Sequence, residues 1–344
     1  MYILGIETSC DETAASVIKA DAKGSPRVLS NIIASQIEIH RQYGGVVPEV
    51  AAREHVLNIL PVINSALKEA KISAKDLTAI GITKGPGLIT SLITGLETAR
   101  ALSYAWQKPL VEVNHIAGHI YANFIQLENP IKFPAVILTV SGGHTILLKM
   151  SQTGKIKILG ETLDDAAGEA YDKAARMLGL GYPGGPIVSK RAKLYKQRKS
   201  DPQISLPRPM ISSPDLNFSF SGLKTALLYK LQQDKDWKKR INQYCYEFQQ
   251  AIIDTLIAKT IKAAKNNQAK TVMLTGGVSA NTELREQMEK AVNDKLPQTA
   301  FLVPNREYTT DNAAMIATAA LYLYRRYKTT TFKKLKVNAS LQLQ

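Results

Sequence analysis

The sequence contains few of the features that mark secreted, membrane-spanning or disordered proteins. Its 344 residues include only two cysteines, Cys10 and Cys245, too few for a disulfide framework, so a reducing cytoplasm is expected. No apolar run approaches the roughly 20 residues that span a bilayer. Strand-like sequence begins at Tyr2, so we expect no signal or transit peptide. A hydrophobic content of 45% with 21% charged residues is typical of a globular protein, and the length allows two domains.

Acidic residues are scarce relative to basic ones. The 44 lysines and arginines outnumber the 29 aspartates and glutamates, which gives a formal net charge of +15. Part of the excess is clustered, at Lys190–Lys199 and at Arg325–Lys336. A solvated basic surface is one explanation, but clustering favours a polyanionic partner such as a nucleic acid, because lysine and arginine neutralise phosphates.

The sequence also lacks a Walker loop, Gly-x4-Gly-Lys-Ser/Thr, which excludes a P-loop enzyme. Polar or glycine-rich turns instead follow short strand-like runs. Two such turns, Glu7–Thr13 and Lys84–Leu88, lie in the N-terminal half, and two others, Ser141–His144 and Thr275–Asn281, lie in the C-terminal half. Turns of this kind suit a close approach of the backbone to a phosphate, although each one alone is equally typical of an ordinary turn.

The order of predicted elements repeats along the chain. Strands are predicted at Tyr2–Glu7, Ala14–Lys19 and Val28–Ile37, and the same strand–turn–strand–strand pattern restarts at Ala135. Two open α/β halves with ligand-binding turns at their strand ends predict two actin-like, ribonuclease-H-like lobes with a central interlobe cleft. The predicted domains are residues 1–130 completed by a C-terminal helix at about 311–330, residues 131–310 with a basic insertion at about 189–217, and a basic tail at 331–344.

A helical run, Asn114–Asn123, carries two histidines. Because positions i and i+4 share a helix face, His115 and His119 can bind one metal ion, provided that a third ligand comes from elsewhere. Two helix histidines satisfied by the backbone or by water are the alternative. Ile116 occupies the position of the glutamate base in the zincin motif His-Glu-x-x-His, so a metal here would serve a reaction other than peptide hydrolysis.

A series of motifs covers nearly the whole chain, from Gly5 to about Thr318. Each is weak alone, but together and in this order they are highly specific. The chain resembles the bacterial tRNA N6-adenosine threonylcarbamoyltransferase family, formerly called O-sialoglycoproteases, which has the actin-like fold. The motifs are Gly5–Thr13, Gly44–Glu49, Gly85–Leu88, His115-x3-His119, Val140–His144, Asp164–Lys173, Tyr182–Gly185, Phe218–Lys224, Gly276–Asn281 and Thr310–Asn312.

The resemblance implies one divalent metal ion, iron(II) or zinc(II), bound by His115, His119 and Asp311. It also implies a nucleotide-like donor, threonylcarbamoyl-AMP. The residues expected to hold this donor are Thr139, Val140, Ser141, Gly142, Gly143, Asp172, Gly185 and Asn281. The adenine amine is a poor nucleophile, so a proton acceptor is useful, and Asp11 is our candidate for that catalytic role.

The family's reaction is transfer of the threonylcarbamoyl group to N6 of the adenosine adjacent to the anticodon, in tRNAs that read codons starting with A. The resemblance implies as partners a degenerate paralogue of the same fold (TsaB-like), expected on the N-terminal half, and a P-loop ATPase (TsaE-like). Two departures from the family pattern, Ala117 and Lys84, lie outside the matched ligand positions.

Three other functions each account for only part of this pattern. An actin-like-fold ATPase or small-molecule kinase explains the turns but gives no role to His115, His119 and Asp311. A metalloprotease keeps the metal but lacks the glutamate base. A non-catalytic binding protein is disfavoured because all three candidate ligands are present.

Overall fold

The structure is a computed structural model that describes residues 1–21, 24–196, 204–326 and 329–343. It divides into two compact units. Unit 1 comprises Met1–Pro130 together with the segment from Pro304 onward, and unit 2 comprises Ile131–Val303. The predicted basic insertion lies in unit 2, and its residues 197–203 are outside the described residues.

In each unit three consecutive strands come first, and strands and helices alternate only later in the unit. The strands are β1 Tyr2–Glu7, β2 Glu12–Lys19, β3 Arg27–Ser35, β4 Ala79–Gly85, β5 Leu110–Asn114, β6 Ala135–Val140, β7 Thr145–Met150, β8 Ile156–Glu161, β9 Thr271–Thr275 and β10 Ala300–Leu302. The helices are α1 Ile37–Arg41, α2 Pro48–Glu69, α3 Ile89–Trp106, α4 His115–Tyr121, α5 Ala167–Met177, α6 Gly184–Lys196, α7 Ser221–Gln233, α8 Ile241–Asn266, α9 Thr282–Lys295 and α10 Ala313–Tyr324. Among the described residues, no helix combines the length and the apolar character needed to cross a membrane.

Each unit has a five-stranded sheet of the same design. The strand order is β3-β2-β1-β4-β5 in unit 1 and β10-β9-β6-β7-β8 in unit 2. In unit 1, β1, β2 and β3 pair antiparallel, whereas β1, β4 and β5 pair parallel. Unit 2 repeats this mixture, since β6, β7 and β8 are antiparallel and β6, β9 and β10 are parallel. The repeated order that the sequence predicts is therefore a repeated sheet topology.

Helix α10 completes the core of unit 1, although it comes from the far end of the chain. It packs against β1, β4 and α4, and its residues Ala313–Leu321 are buried. Small side chains allow this close contact, since alanine dominates the helix. A Cβ added to Gly5 of β1 would lie 2.4 Å from the backbone oxygen of Ala313, so only glycine fits there.

The structure differs from the sequence-based description of two segments. The predicted insertion begins with a regular helix, α6, whose Val188 and Ala192 are buried against α8. Pro186 does not prevent this helix, because it lies in the first turn, where no intrahelical amide bond is lost. The predicted separate tail is part of unit 1, since Leu335 is only 1% exposed and joins the core around β1 and β4.

We predict that Gly5→Ala lowers the free energy of unfolding of unit 1 by about 1–3 kcal/mol, the usual range for overpacking a core. Gly45→Ala is the matched control, because a Cβ at Gly45 meets no atom within 4 Å, and its effect should stay within about 0.5 kcal/mol. Thermal unfolding followed by calorimetry measures both. Equal melting temperatures for the two variants would contradict the tight contact with α10.

Candidate functional site

Helix α4 begins directly at the end of β5 and presents two histidines to the interior of unit 1. Its cap is Asn114, whose side-chain oxygen accepts hydrogen bonds from the amides of Ile116 at 2.8 Å and Ala117 at 3.2 Å. His115 and His119 are both buried, and their ring centroids lie 4.7 Å apart. The i, i+4 spacing therefore places the two imidazoles side by side.

Asp311 lies just before α10, which is capped by the side chain of Asn312. One carboxylate oxygen of Asp311 is 3.2 Å from Nε2 of His119 and 3.5 Å from Nε2 of His115. One ligand atom from each of the three residues lies within 4.8 Å of the others. Two imidazole nitrogens and a carboxylate oxygen are a donor set suited to iron(II) or zinc(II). The residues present therefore fit a divalent metal ion.

A buried carboxylate, which the sequence analysis did not single out, orients His115. Nδ1 of His115 lies 3.0 Å from Oε2 of Glu7 and 3.1 Å from Oγ of Ser9. Glu7 also accepts a hydrogen bond from Oγ1 of Thr83 at 2.8 Å. With Nδ1 engaged in this way, Nε2 points toward Asp311, which is the arrangement common among metal-binding histidines. Only the position of Glu7 inside the Gly5–Thr13 motif hinted at this role.

Acidic groups crowd around the three candidate ligands. Burial alone lowers the pKa of His115, but the carboxylates of Asp311 and Glu7 outweigh it and raise this pKa to about 9. Burial, followed by the carboxylates of Asp11 and Asp311, raises the pKa of Glu12 to about 10. A divalent cation would relieve this concentration of negative charge.

Asp11, the candidate proton acceptor, lies in the buried turn between β1 and β2. Its electrostatic effect on Glu12 and Cys10 is shared with Asp311, so it belongs to the same acidic group as the candidate ligands. His55 of α2 contacts this turn, since its Nε2 lies 2.9 Å from the backbone oxygen of Cys10. This contact and the burial of Asp11 fix the position of the turn.

The predicted donor-binding residues lie in unit 2. Thr139 and Val140 are buried at the end of β6, and Ser141, Gly142 and Gly143 form the turn that follows. Cβ atoms added to Gly142 or Gly143 would meet nothing within 4 Å, so the backbone of this turn is open to a ligand.

Two contacts hold this turn in place. A Cβ added to Gly276, at the end of β9, would lie 2.4 Å from the backbone oxygen of Val140. A Cβ added to Gly168, in the first turn of α5, would lie 2.6 Å from the backbone oxygen of Ser141. The amides of Gly168 and Glu169 donate to the backbone oxygens of Ser141 and Gly142, each at 3.2 Å, so the ends of β6 and β9 and the start of α5 meet at one place.

Two predicted donor-binding side chains serve as helix caps. Oδ1 of Asp172 accepts a hydrogen bond of 2.7 Å from the amide of Gly184, the first residue of α6, and Gly185 follows directly. Burial raises the pKa of Asp172 although the amides of Gly184 and Gly185 oppose it. Asn281 caps α9 through Leu284, and its side-chain nitrogen donates to Gln249 at 2.8 Å. The sequence analysis did not assign these capping roles.

Comparison with known proteins identifies the family. The model of the TsaD family, described as tRNA N6-adenosine threonylcarbamoyltransferase, matches residues 27–318. The chain belongs to this family. It is 46% identical over 338 residues to the tRNA N6-adenosine threonylcarbamoyltransferase of Syntrophomonas wolfei, covering 98% of this chain and 96% of the relative. It is 47% identical over 345 residues to the protein of that name from Geobacillus kaustophilus, covering 100% and 97%.

Two solved structures share the fold. HypF of T. kodakarensis aligns with a TM-score of 0.60 at 14% identity, over 95% of this chain and 48% of HypF. The activator of 2-hydroxyisocaproyl-CoA dehydratase from Clostridium difficile, with bound ADPNP, aligns with a TM-score of 0.51 at 13% identity, over 95% and 96%. At these identities the likeness shows the fold alone. The predicted actin-like α/β fold of the TsaD-family chain is confirmed.

We predict that the imidazole of His115 titrates near pH 9 in the metal-free protein, because Asp311 and Glu7 stabilise its charged form. This pKa lies above the value of about 6.5 for an unfolded chain, so the stabilisation is complete below about pH 6.5 and is lost as the pH rises past 9. NMR titration of labelled histidines measures the midpoint, and Glu7→Gln should lower it. A midpoint at or below 6.5 would contradict the arrangement described.

Proposed function

We propose that this protein is a tRNA N6-adenosine threonylcarbamoyltransferase. It transfers the threonylcarbamoyl group from threonylcarbamoyl-AMP to N6 of the adenosine adjacent to the anticodon, in tRNAs that read codons starting with A. The observation that carries this proposal is the family match over residues 27–318. Because its substrate is tRNA, we place the activity in the cytoplasm.

We propose that His115, His119 and Asp311 hold one divalent metal ion, with iron(II) preferred over zinc(II). The support is the donor set, with its ligand atoms within 4.8 Å of one another, and the Glu7 carboxylate behind His115. Such an ion, when bound, supplies a Lewis acid that polarises a carbonyl oxygen. The Glu7–His115 contact keeps Nε2 of His115 directed at the ligand position, so the ligands are arranged before the ion binds.

The proposed reaction forms a bond between N6 of adenine and the carbamoyl carbon and breaks the bond from that carbon to the phosphate oxygen, so that AMP leaves. The side chain of Ser141 and the amides of Gly142 and Gly143 hold the leaving phosphate. Asp172 and Asn281, also of unit 2, contact the sugar. Asp11 accepts the proton lost from the adenine amine.

The basic surface supports tRNA as the acceptor. Lys190, Arg191 and Lys193 are exposed on α6, and Lys333, Lys334 and Lys336 are exposed in the C-terminal segment of unit 1. Arg325, proposed from the sequence as a contact, donates to the backbone oxygens of Asp21 and Gly24 instead. The predicted contacts Arg198, Lys199 and Lys328 lie outside the described residues.

We further propose that a degenerate paralogue of the same fold docks on unit 1 and that a P-loop ATPase assists the complex. The support is an apolar face on two helices that pack against each other, α2 and α3. Its large exposed side chains are Val56, Leu57, Leu60, Ile89 and Ile93. Exposed large apolar side chains on neighbouring helices are typical of a protein interface.

The actin-like-fold ATPase or small-molecule kinase is not favoured, because the family match names a transferase. A kinase or ATPase function also gives no role to His115, His119 and Asp311, whose ligand atoms lie close together.

The first prediction from this proposal concerns His115→Ala. Transfer of labelled threonylcarbamoyl from its AMP adduct to unmodified tRNA, with bacterial partner proteins supplied, should fall about 100-fold or more, because one of three ligands is lost. The metal content of the purified protein, measured by mass spectrometry, should fall with it.

The matched control is Asp236→Asn, which removes an exposed carboxylate of unit 2 and should change neither quantity. Undiminished transfer by the His115 variant would show that the metal has a structural role rather than a catalytic one. No transfer by the wild type, while the partners work with a known relative, would remove the proposed function.

The second prediction concerns the apolar face. Leu57→Glu should weaken binding of the small paralogue by about 30-fold, since a charge would be buried at the interface. Leu57 is 68% exposed, so the substitution should not affect folding. Tyr229→Glu on α7 of unit 2 is the control, also at an exposed apolar side chain. Titration calorimetry measures both affinities, and equal binding by the two variants would exclude this face.

A further inference from the structure

The C-terminal segment of unit 1, residues 329–343, is attached to the unit at several points. The amide of Thr330 donates to the backbone oxygen of Leu110 at 2.9 Å, at the start of β5. Leu335 is buried in the core, and Nη2 of Arg100 donates to its backbone oxygen at 2.7 Å. These contacts fix the path of the segment before it reaches its last residues.

The end of the segment lies directly on the Gly85–Gly87 turn. The amide of Asn338 donates to the backbone oxygen of Lys84 at 2.9 Å. The amide of Gly87 donates to the backbone oxygen of Ala339 at 3.2 Å. A Cβ added to Gly85 would lie 1.8 Å from the backbone oxygen of Asn338. The turn that the sequence suggested for an anion is thus covered by the chain's own C-terminal segment.

Two sets of hydrogen bonds connect this segment to α4 and to His115. The side-chain nitrogen of Asn114 donates to the backbone oxygens of Leu341 at 3.4 Å and Gln342 at 3.3 Å, while its oxygen caps α4. The other set runs through the turn, where the amide of Leu88 donates to the backbone oxygen of Ser9 at 2.7 Å. Oγ of Ser9 is in turn 3.1 Å from Nδ1 of His115.

We propose that residues 338–343 are a positioning element for the candidate metal centre, acting on α4 through Asn114 and on His115 through the Gly85–Leu88 turn and Ser9. A helix as short as the seven residues of α4 does not hold its shape alone, so its cap and its tertiary contacts determine where its two imidazoles lie. Asn114 joins both functions in one side chain. This inference rests on the metal site proposed above.

The test measures binding of Co²⁺ to the metal-free protein by competition with a chromophoric chelator. Removal of residues 338–344 should weaken Co²⁺ binding by about tenfold, the lower end of the effect of lost supporting contacts at metal sites. Asn114→Ser in the full chain keeps a capping oxygen but removes the nitrogen that reaches Leu341 and Gln342, and should weaken binding severalfold. The combined variant should lose less than the product of the two effects, because they share one contact.

Gln342→Ala is the control, because Asn114 contacts only the backbone oxygen of Gln342, and its affinity should equal that of the wild type. Truncated and Asn114→Ser proteins that bind Co²⁺ within twofold of the wild type would overturn the proposal, as would a wild type that binds none. If the truncated chain does not fold, as judged by circular dichroism, Asn114→Ser decides alone. The transfer assay separates the two proposals. If Co²⁺ binding depends on residues 338–344 but the wild type transfers nothing, only the proposed function is removed. If the wild type transfers threonylcarbamoyl but Co²⁺ binding does not depend on these residues, only this inference is removed.

Discussion

The contact between Glu7 and His115 links the first strand of the chain to the candidate metal helix. A fully buried carboxylate is costly unless it is charge-paired and hydrogen-bonded. Burial alone raises the pKa of Glu7, but His115 and the hydroxyl of Ser9 lower it, so the carboxylate stays charged. Thr83 of β4 supplies a further hydrogen bond. One buried acid therefore requires β1, β4 and α4 to meet, and the position of both candidate histidines depends on that meeting.

Local features were predictable from the sequence because they depend on neighbours along the chain. Short apolar runs predicted the strands, and the i, i+4 spacing predicted the side-by-side imidazoles. Helix α6 was missed because Gly184, Gly185 and Pro186 read as a loop, although all three lie in a first turn that tolerates them. The attachment of the C-terminal segment was missed because a single leucine, Leu335, among lysines carries no periodic signal.

The candidate site likewise combines features that the sequence predicts with features that only the folded structure shows. Asp311 entered through the family resemblance, since no spacing rule connects it to a helix almost 200 residues earlier. The contact of Glu7 with His115 could not be predicted, because it depends on the order of β1, β4 and β5 in the folded sheet. Asp172 and Asn281 were chosen as ligand contacts, but their capping roles depend on backbone amides brought near them by folding. Residue type alone does not separate a cap from a ligand contact.

The burial of α10 against β1 has a consequence for biosynthesis. Ribosomes release the N-terminal strands first, yet the helix that covers Gly5 and β4 is made only after all of unit 2. Until α10 is made, the faces of β1 and β4 that pack against it are therefore uncovered, whereas the sequence of unit 2 is already complete. Uncovered apolar surface of this kind is what chaperones bind on a nascent chain.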